Sequence, residues 1–114
     1  MTRYAEAVLL RLFIGESDAH DGRPLYEAIV LAAREQGLAG ATVLRGPMGY
    51  GRSSRLHTTK ILRLSADLPL IIEIVDTAEK IDAFIARAEP MLGSCLVTLE
   101  KVQVVRYGHE AGLD

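Results

Sequence analysis

Residues 7–14 and 70–75 of this chain are apolar at nearly every position, with Arg11 and Glu73 the charged exceptions. Runs this short read as strands, and side chains on a strand point alternately to the two faces of its sheet. Leu10, Leu12, Ile72 and Ile74 lie out of phase with Val8, Leu9, Phe13, Ile71 and Val75. A sheet built from these strands therefore needs cover on both sides. The 114 residues, 49% hydrophobic and 25% charged, have the composition of one ordinary globular domain, expected to span 1–114. Helices of the same chain can cover one face, so the second predicts an oligomer.

The other elements follow from periodicity and punctuation. Residues 15–23 read as a polar loop leading to Pro24, placed in the first turn of a helix where its missing N–H costs nothing. Leu25, Ile29, Ala32 and Ala33 recur at helical spacing, and Gly37 supplies the stop. A second strand is expected over 41–45 and β-rich runs over 57–64 and 70–75, with Pro69 making a break between the last two. Asp76-Thr77-Ala78-Glu79 resembles a capping box with Asp76 as the cap, before a helix carrying Ile81, Phe84, Ile85 and Ala88 on one face. Pro90 and Gly93 end that helix. A last β segment, 96–107, changes apolar phase between Leu99 and Val102, where Glu100 and Lys101 predict a bulge. The order β-α-β-β-α-β, joined by short right-handed connections, predicts a ferredoxin-like α+β sandwich with two helices on one face of an antiparallel sheet.

Charge and cysteine content narrow the function classes. Thirteen Lys and Arg against fifteen Asp and Glu give a formal net charge of −2, without the basic footprint of a nucleic-acid binder. The one cysteine, Cys95, precludes an internal disulfide and reads as a small core residue in a reducing compartment. No apolar run reaches the roughly 20 residues of a membrane helix, and the first residues lack a signal-peptide layout. A cytoplasmic protein, neither exported nor inserted, is the expectation.

The chemistry-bearing stretch is 45–60, RGPMGYGRSSRLHTTK. Gly46, Gly49 and Gly51 permit backbone geometries that aim successive N–H groups into one concavity, and Arg45, Arg52, Arg55 and Lys60 add positive charge: a candidate anion site. The glycine spacing fits neither a Rossmann nor a Walker fingerprint. Tyr50, Arg55 and His57 are candidates for contacting a partner protein. A second cluster, Glu16, Asp18 and His20, is a candidate divalent-metal site, although its glycine is misplaced for an EF-hand. No serine sits in a nucleophile elbow and no metal-binding histidine pair exists, so no catalytic residue is assigned. Glu73, inside an apolar run, is a candidate for an ion pair between strands or subunits.

Four stretches carry a family resemblance covering about residues 8–107: 11–18 (RLFIGESD), 37–46 (GLAGATVLRG), Gly49-Tyr50-Gly51 and 67–76 (DLPLIIEIVD). They look like the PII-like family catalogued as a domain of unknown function. More distantly the chain is similar to the PII nitrogen-regulatory proteins, with Gly49-Tyr50-Gly51-Arg52 resembling their Gly-Phe-Gly-Arg entry to the T-loop. The resemblance implies a homotrimer that holds an adenine nucleotide (ATP, ADP or AMP) between subunits and docks through the T-loop on a transporter or enzyme. Carried over by position, Thr42 would lie beside the base, Gly49, Gly51 and Arg52 against the phosphates, and Arg106 would be a phosphate partner from the last strand. The chain departs from PII at Gly93-Ser94-Cys95-Leu96, where PII has Gly-Asp-Gly-Lys, and at Arg106-Tyr107-Gly108, where PII has Arg-x-Arg. Residues 51–69 contain no tyrosine, so uridylylation is not expected. The leading reading is a non-enzymatic trimeric sensor of a small anionic ligand. The alternative is a trimeric divalent-metal-binding protein similar to the copper-tolerance proteins of this fold, using Glu16, Asp18 and His20.

Overall fold

The computed structural model describes residues 5–50, 56–58, 68–93 and 95–105, with Tyr50 and 56–58 as backbone alone. In chain order the elements are β1 (Ala5–Gly15), β2 (Ala19–His20), β3 (Arg23–Pro24), α1 (Leu25–Glu35), β4 (Thr42–Arg45), β5 (Met48–Tyr50), β6 (Leu56–Thr58), β7 (Pro69–Asp76), α2 (Ala78–Ala88) and β8 (Leu96–Val104). A 3-10 turn, Glu89–Met91, follows α2 and carries Pro90. The main sheet runs β4-β7-β1-β8 with every neighbouring pair antiparallel, which is the ferredoxin-like order expected from the sequence.

The core lies between this sheet and the two helices. Leu10, Leu12, Ile72 and Ile74 meet Ile29 and Ala33 of α1 and Ile81, Phe84 and Ala88 of α2, all of them buried. Val8 shares the phase of Leu10 and packs on this same core, contrary to its assignment to the opposite face. The uncovered face carries Leu9, Phe13, Ile71 and Val75, joined by Leu44 of β4 and Leu96 of β8; Leu44 is 45% exposed and Leu96 60%. The doubly apolar strands are thus present, and one of their faces lacks cover from the described residues of this chain.

Local physics sets the element ends. Pro24 stands one place before α1 with an extended ψ of 134°, not inside the first turn, and the first helical N–H, of Leu25, donates to the Asp18 carbonyl at 2.7 Å. The far end of α1 is a Schellman motif: Leu38 N–H returns to the Ala33 carbonyl and Gly37 N–H to that of Arg34, both at 3.1 Å. Gly37 takes φ +77°, a conformation that side chains rarely tolerate, while Leu38 packs on the core. At α2 the cap is Thr77, whose Oγ1 accepts from Lys80 N–H at 3.2 Å, and not Asp76. Asp76 is 1% exposed and serves elsewhere, accepting from Ala39 N–H at 2.8 Å and from Thr77 N–H at 2.7 Å.

Two further expectations change. The stretch expected as a polar loop instead enters a miniature hairpin over 19–24, β2 with β3, turned by Asp21 and Gly22 at φ +51° and +76°. Positive φ at both central residues is what an Asp-Gly turn provides in a hairpin. The bulge near Glu100 does not occur: β8 pairs with β1 in one unbroken register from Ala5 opposite Val104 to Phe13 opposite Leu96. On the edge strand β8, Val97 packs on the core while Leu99, in the same phase, stays 54% exposed, so the apolar phase of the later part of β8 is not set by burial. Pro69 heads β7, where a strand tolerates a missing N–H, and residues 59–67 lie outside the described part.

Candidate functional site

The uncovered face is crossed by one polar row. Thr42 of β4 lies opposite Glu73 of β7, Glu73 opposite Arg11 of β1, and Arg11 opposite Thr98 of β8. Arg11 Nε donates to Glu73 Oε2 at 2.9 Å and Nη1 to Glu100 Oε1 at 3.1 Å, so Glu73 finds its partner between strands. The hydrogen bond from Arg11 to Glu73 is the largest influence holding that guanidinium above its ordinary pKa. Apolar residues flank the row: Leu44, Ile71, Phe13 and Leu96 on one side, Val75 and Leu9 on the other. Thr42 itself is exposed, at the sheet edge, open to a ligand from solvent.

From β4 the chain enters the glycine-rich stretch, and Gly46 and Gly49 both lie against Pro69. A Cβ at Gly46 would stand 3.1 Å from Pro69 Cγ and one at Gly49 3.2 Å, closer than side chains ordinarily tolerate. Gly46 N–H donates to the Pro69 carbonyl at 2.8 Å. Neither glycine takes a positive φ. Close approach to the proline ring, and not a left-handed cradle of N–H groups, is what favours glycine at these two positions. β5 and β6 then form a hairpin in which Gly49 lies opposite His57 and Tyr50 opposite Leu56. Gly51, Arg52, Arg55 and Arg106, with the side chains of Tyr50 and His57, fall outside the described residues.

Arg45, one of the residues expected to add positive charge to the candidate anion site, is paired with Glu16. No local signal could have shown this, because the two residues are 29 positions apart. The other two acidic-cluster candidates also have partners. Asp18 Oδ2 accepts from Gly15 N–H at 2.9 Å, holding the turn after β1, and His20 Nε2 lies 3.3 Å from Asp21 Oδ2. Among the described residues no three His, Cys, Asp or Glu side chains gather as a metal site.

Cys95 packs against the core, and burial, with a smaller contribution from the Asp18 carboxylate, pushes its thiol up to about 11 from 9.0. A rise of this size leaves about a hundredfold less thiolate at pH 8. Alkylation of the folded protein by iodoacetamide at pH 8 should therefore run about a hundredfold slower than in denaturant; equal rates would show an open, ionised thiol.

Comparison with known proteins bears on this geometry. The model of the family DUF190, described as uncharacterized ACR, matches residues 7–104. A UPF0166 protein of Aquifex aeolicus (strain VF5) is 37% identical over 103 residues, covering 90% of this chain and 97% of its own. Among solved structures, CPII, a nitrogen regulatory PII-like protein of Thiomonas intermedia K12 bound to ADP, AMP and bicarbonate, superposes with a TM-score of 0.72 at 17% identity, over 93% of this chain and 94% of its own. The divalent ion tolerance protein CutA1 of Ehrlichia chaffeensis superposes less well, at 0.53 and 10% identity over 90% of this chain and 85% of its own. No helix among the described residues is long and apolar enough to cross a membrane.

Proposed function

This chain belongs to the DUF190 family, and we propose that it acts as a PII-like sensor: a homotrimer, without catalysis of its own, that takes an adenine nucleotide in clefts between subunits. Residues 46–60 report occupancy to a transporter or enzyme in the cytoplasm. The observation that carries this reading is the likeness of the whole fold to a PII-like protein that binds ADP, AMP and bicarbonate. Two features of the chain support it. The apolar face around Phe13 and Ile71 asks for copies of the chain to cover it, and Thr42 stands at the edge of that face on the strand that feeds the glycine-rich stretch.

In this reading Thr42 contacts the base, Gly49, Gly51 and Arg52 meet the phosphates, and Arg106 reaches them from the end of the chain. Tyr50, Arg55 and His57 face the partner. Nucleotide binding selects one arrangement of the loop over another, and the partner reads the difference through its own affinity for the two. The metal alternative draws on the CutA1 likeness, but Glu16, Asp18 and His20 each have a different partner, with which a shared cation would compete.

Calorimetric titration with ATP, ADP, AMP and cyclic nucleotides, with and without magnesium, tests the reading. Saturable binding near one ligand per chain is expected for at least one nucleotide. Arg52→Ala with Arg106→Ala should then weaken it by at least about a hundredfold, since charge-assisted phosphate contacts contribute about 1.5–3 kcal/mol each. Absence of heat across the panel, or full affinity in the double variant, counts against the site.

A further inference from the structure

We propose that Glu16 is a built-in rival for the ligand's negative charge: it holds Arg45 at the mouth of the glycine-rich loop and yields it only to an incoming phosphate. This rests on the reading of that loop as an anion site, and it adds Arg45 to the site as a residue the ligand must win.

The two partners are mounted differently. Glu16 directly follows Gly15, which pairs with Pro69, and its own N–H donates to the Leu68 carbonyl at 2.8 Å. Its side chain is 25% exposed. Arg45 ends β4, an edge strand with a neighbour on one side alone, and its side chain is 59% exposed. The carboxylate is thus the fixed member and the guanidinium the member able to swing. The residue after Arg45 is Gly46, whose N–H is tied to the Pro69 carbonyl, so the backbone at the loop mouth stays anchored while the side chain exchanges partners. A guanidinium fork fits a carboxylate and a phosphate alike, and a phosphate bearing about two charges binds it more strongly than a carboxylate bearing one.

When only part of the population presents a free Arg45, the apparent affinity of any ligand that needs it falls by that fraction. A surface ion pair typically biases its members by about two- to fivefold. Glu16→Gln should therefore tighten binding by about two- to fivefold for any nucleotide whose phosphate reaches Arg45. Relief of plain repulsion between Glu16 and the ligand would also tighten binding in Glu16→Gln, but it would do so whether or not Arg45 is present.

The experiment is a double-variant cycle read by calorimetry with ATP on the full chain: wild type, Glu16→Gln, Arg45→Gln and both together. Glu16→Gln is expected to bind about two- to fivefold tighter, Arg45→Gln more weakly, and the double variant no better than Arg45→Gln. Glu16→Ser, shorter and uncharged, should repeat the gain and guards against an effect peculiar to glutamine. An unchanged or weaker Glu16→Gln, or an equal gain in the Arg45→Gln background, overturns the rivalry while ATP binding by the wild type stands. ATP binding by none of the proteins overturns the nucleotide reading and the rivalry together.

Discussion

Asp76→Ala is expected to lower the unfolding free energy by about 2–4 kcal/mol, read as a shift of the urea midpoint with little change in slope. The side chain is 1% exposed and its two oxygens take different backbone donors, Ala39 N–H and Thr77 N–H. Removing it takes the carboxylate acceptor from two half-buried N–H groups, and losing a hydrogen bond to a charged group costs about 1.5–3 kcal/mol. Asparagine should rescue little, since its amide nitrogen would face one of the two donors instead of accepting from it. The same contact ties the segment before β4 to the entry of α2, so Thr42 should lose definition along with stability. A loss below about 1 kcal/mol in both variants would mean that solvent replaces the carboxylate easily.

Phe13→Asp should convert the proposed oligomer to monomer at micromolar concentration while the far-UV circular dichroism stays unchanged. Phe13 lies opposite Ile71 and Leu96 on the uncovered face, away from the helix-side core, so the fold does not depend on it. In an assembly that buries this face, each subunit would have to desolvate a carboxylate without a partner, which costs several kcal/mol per copy. Sedimentation velocity of the wild type and the variant decides the matter. A wild type that sediments as a monomer, or a variant that keeps the wild-type mass, would show that the face is covered by something other than copies of this chain.

The sequence made the layers legible because β1, β7, α1 and α2 bury large parts of themselves, and burial writes a period. Leu10 with Leu12, Ile72 with Ile74, and Ile81 with Phe84 and Ala88 could be read without any knowledge of contacts. Elements that bury little were harder. The β2–β3 hairpin has two residues per strand, and only its Asp21-Gly22 pair announced it. On the edge strand β8, Leu99 and Val102 had no core to answer to, so their phase suggested a bulge that the register lacks. At α2 both Asp76 and Thr77 are good caps, and the choice was made by Ala39, far away in sequence, which claims Asp76. The glycine-rich stretch drew its meaning from remote neighbours in the same way: Gly46 and Gly49 are small because of Pro69, and Arg45 is occupied because of Glu16.

The central place of β1 has a consequence for how the chain is made. Its partners both come late: Arg11 waits 62 residues for Glu73 and 89 for Glu100. At a synthesis rate of about 5–20 residues per second, the first of these gaps lasts roughly 3–12 s. Throughout that interval the apolar strand has no sheet to join, since α1 and β4 are complete but β4 touches β7 rather than β1. Such long-range pairing folds slowly and leaves an aggregation-prone segment exposed on the ribosome. A nascent chain stalled before β7 should accordingly be a strong client for holdase chaperones, and its release should await the arrival of Ile72 and Ile74.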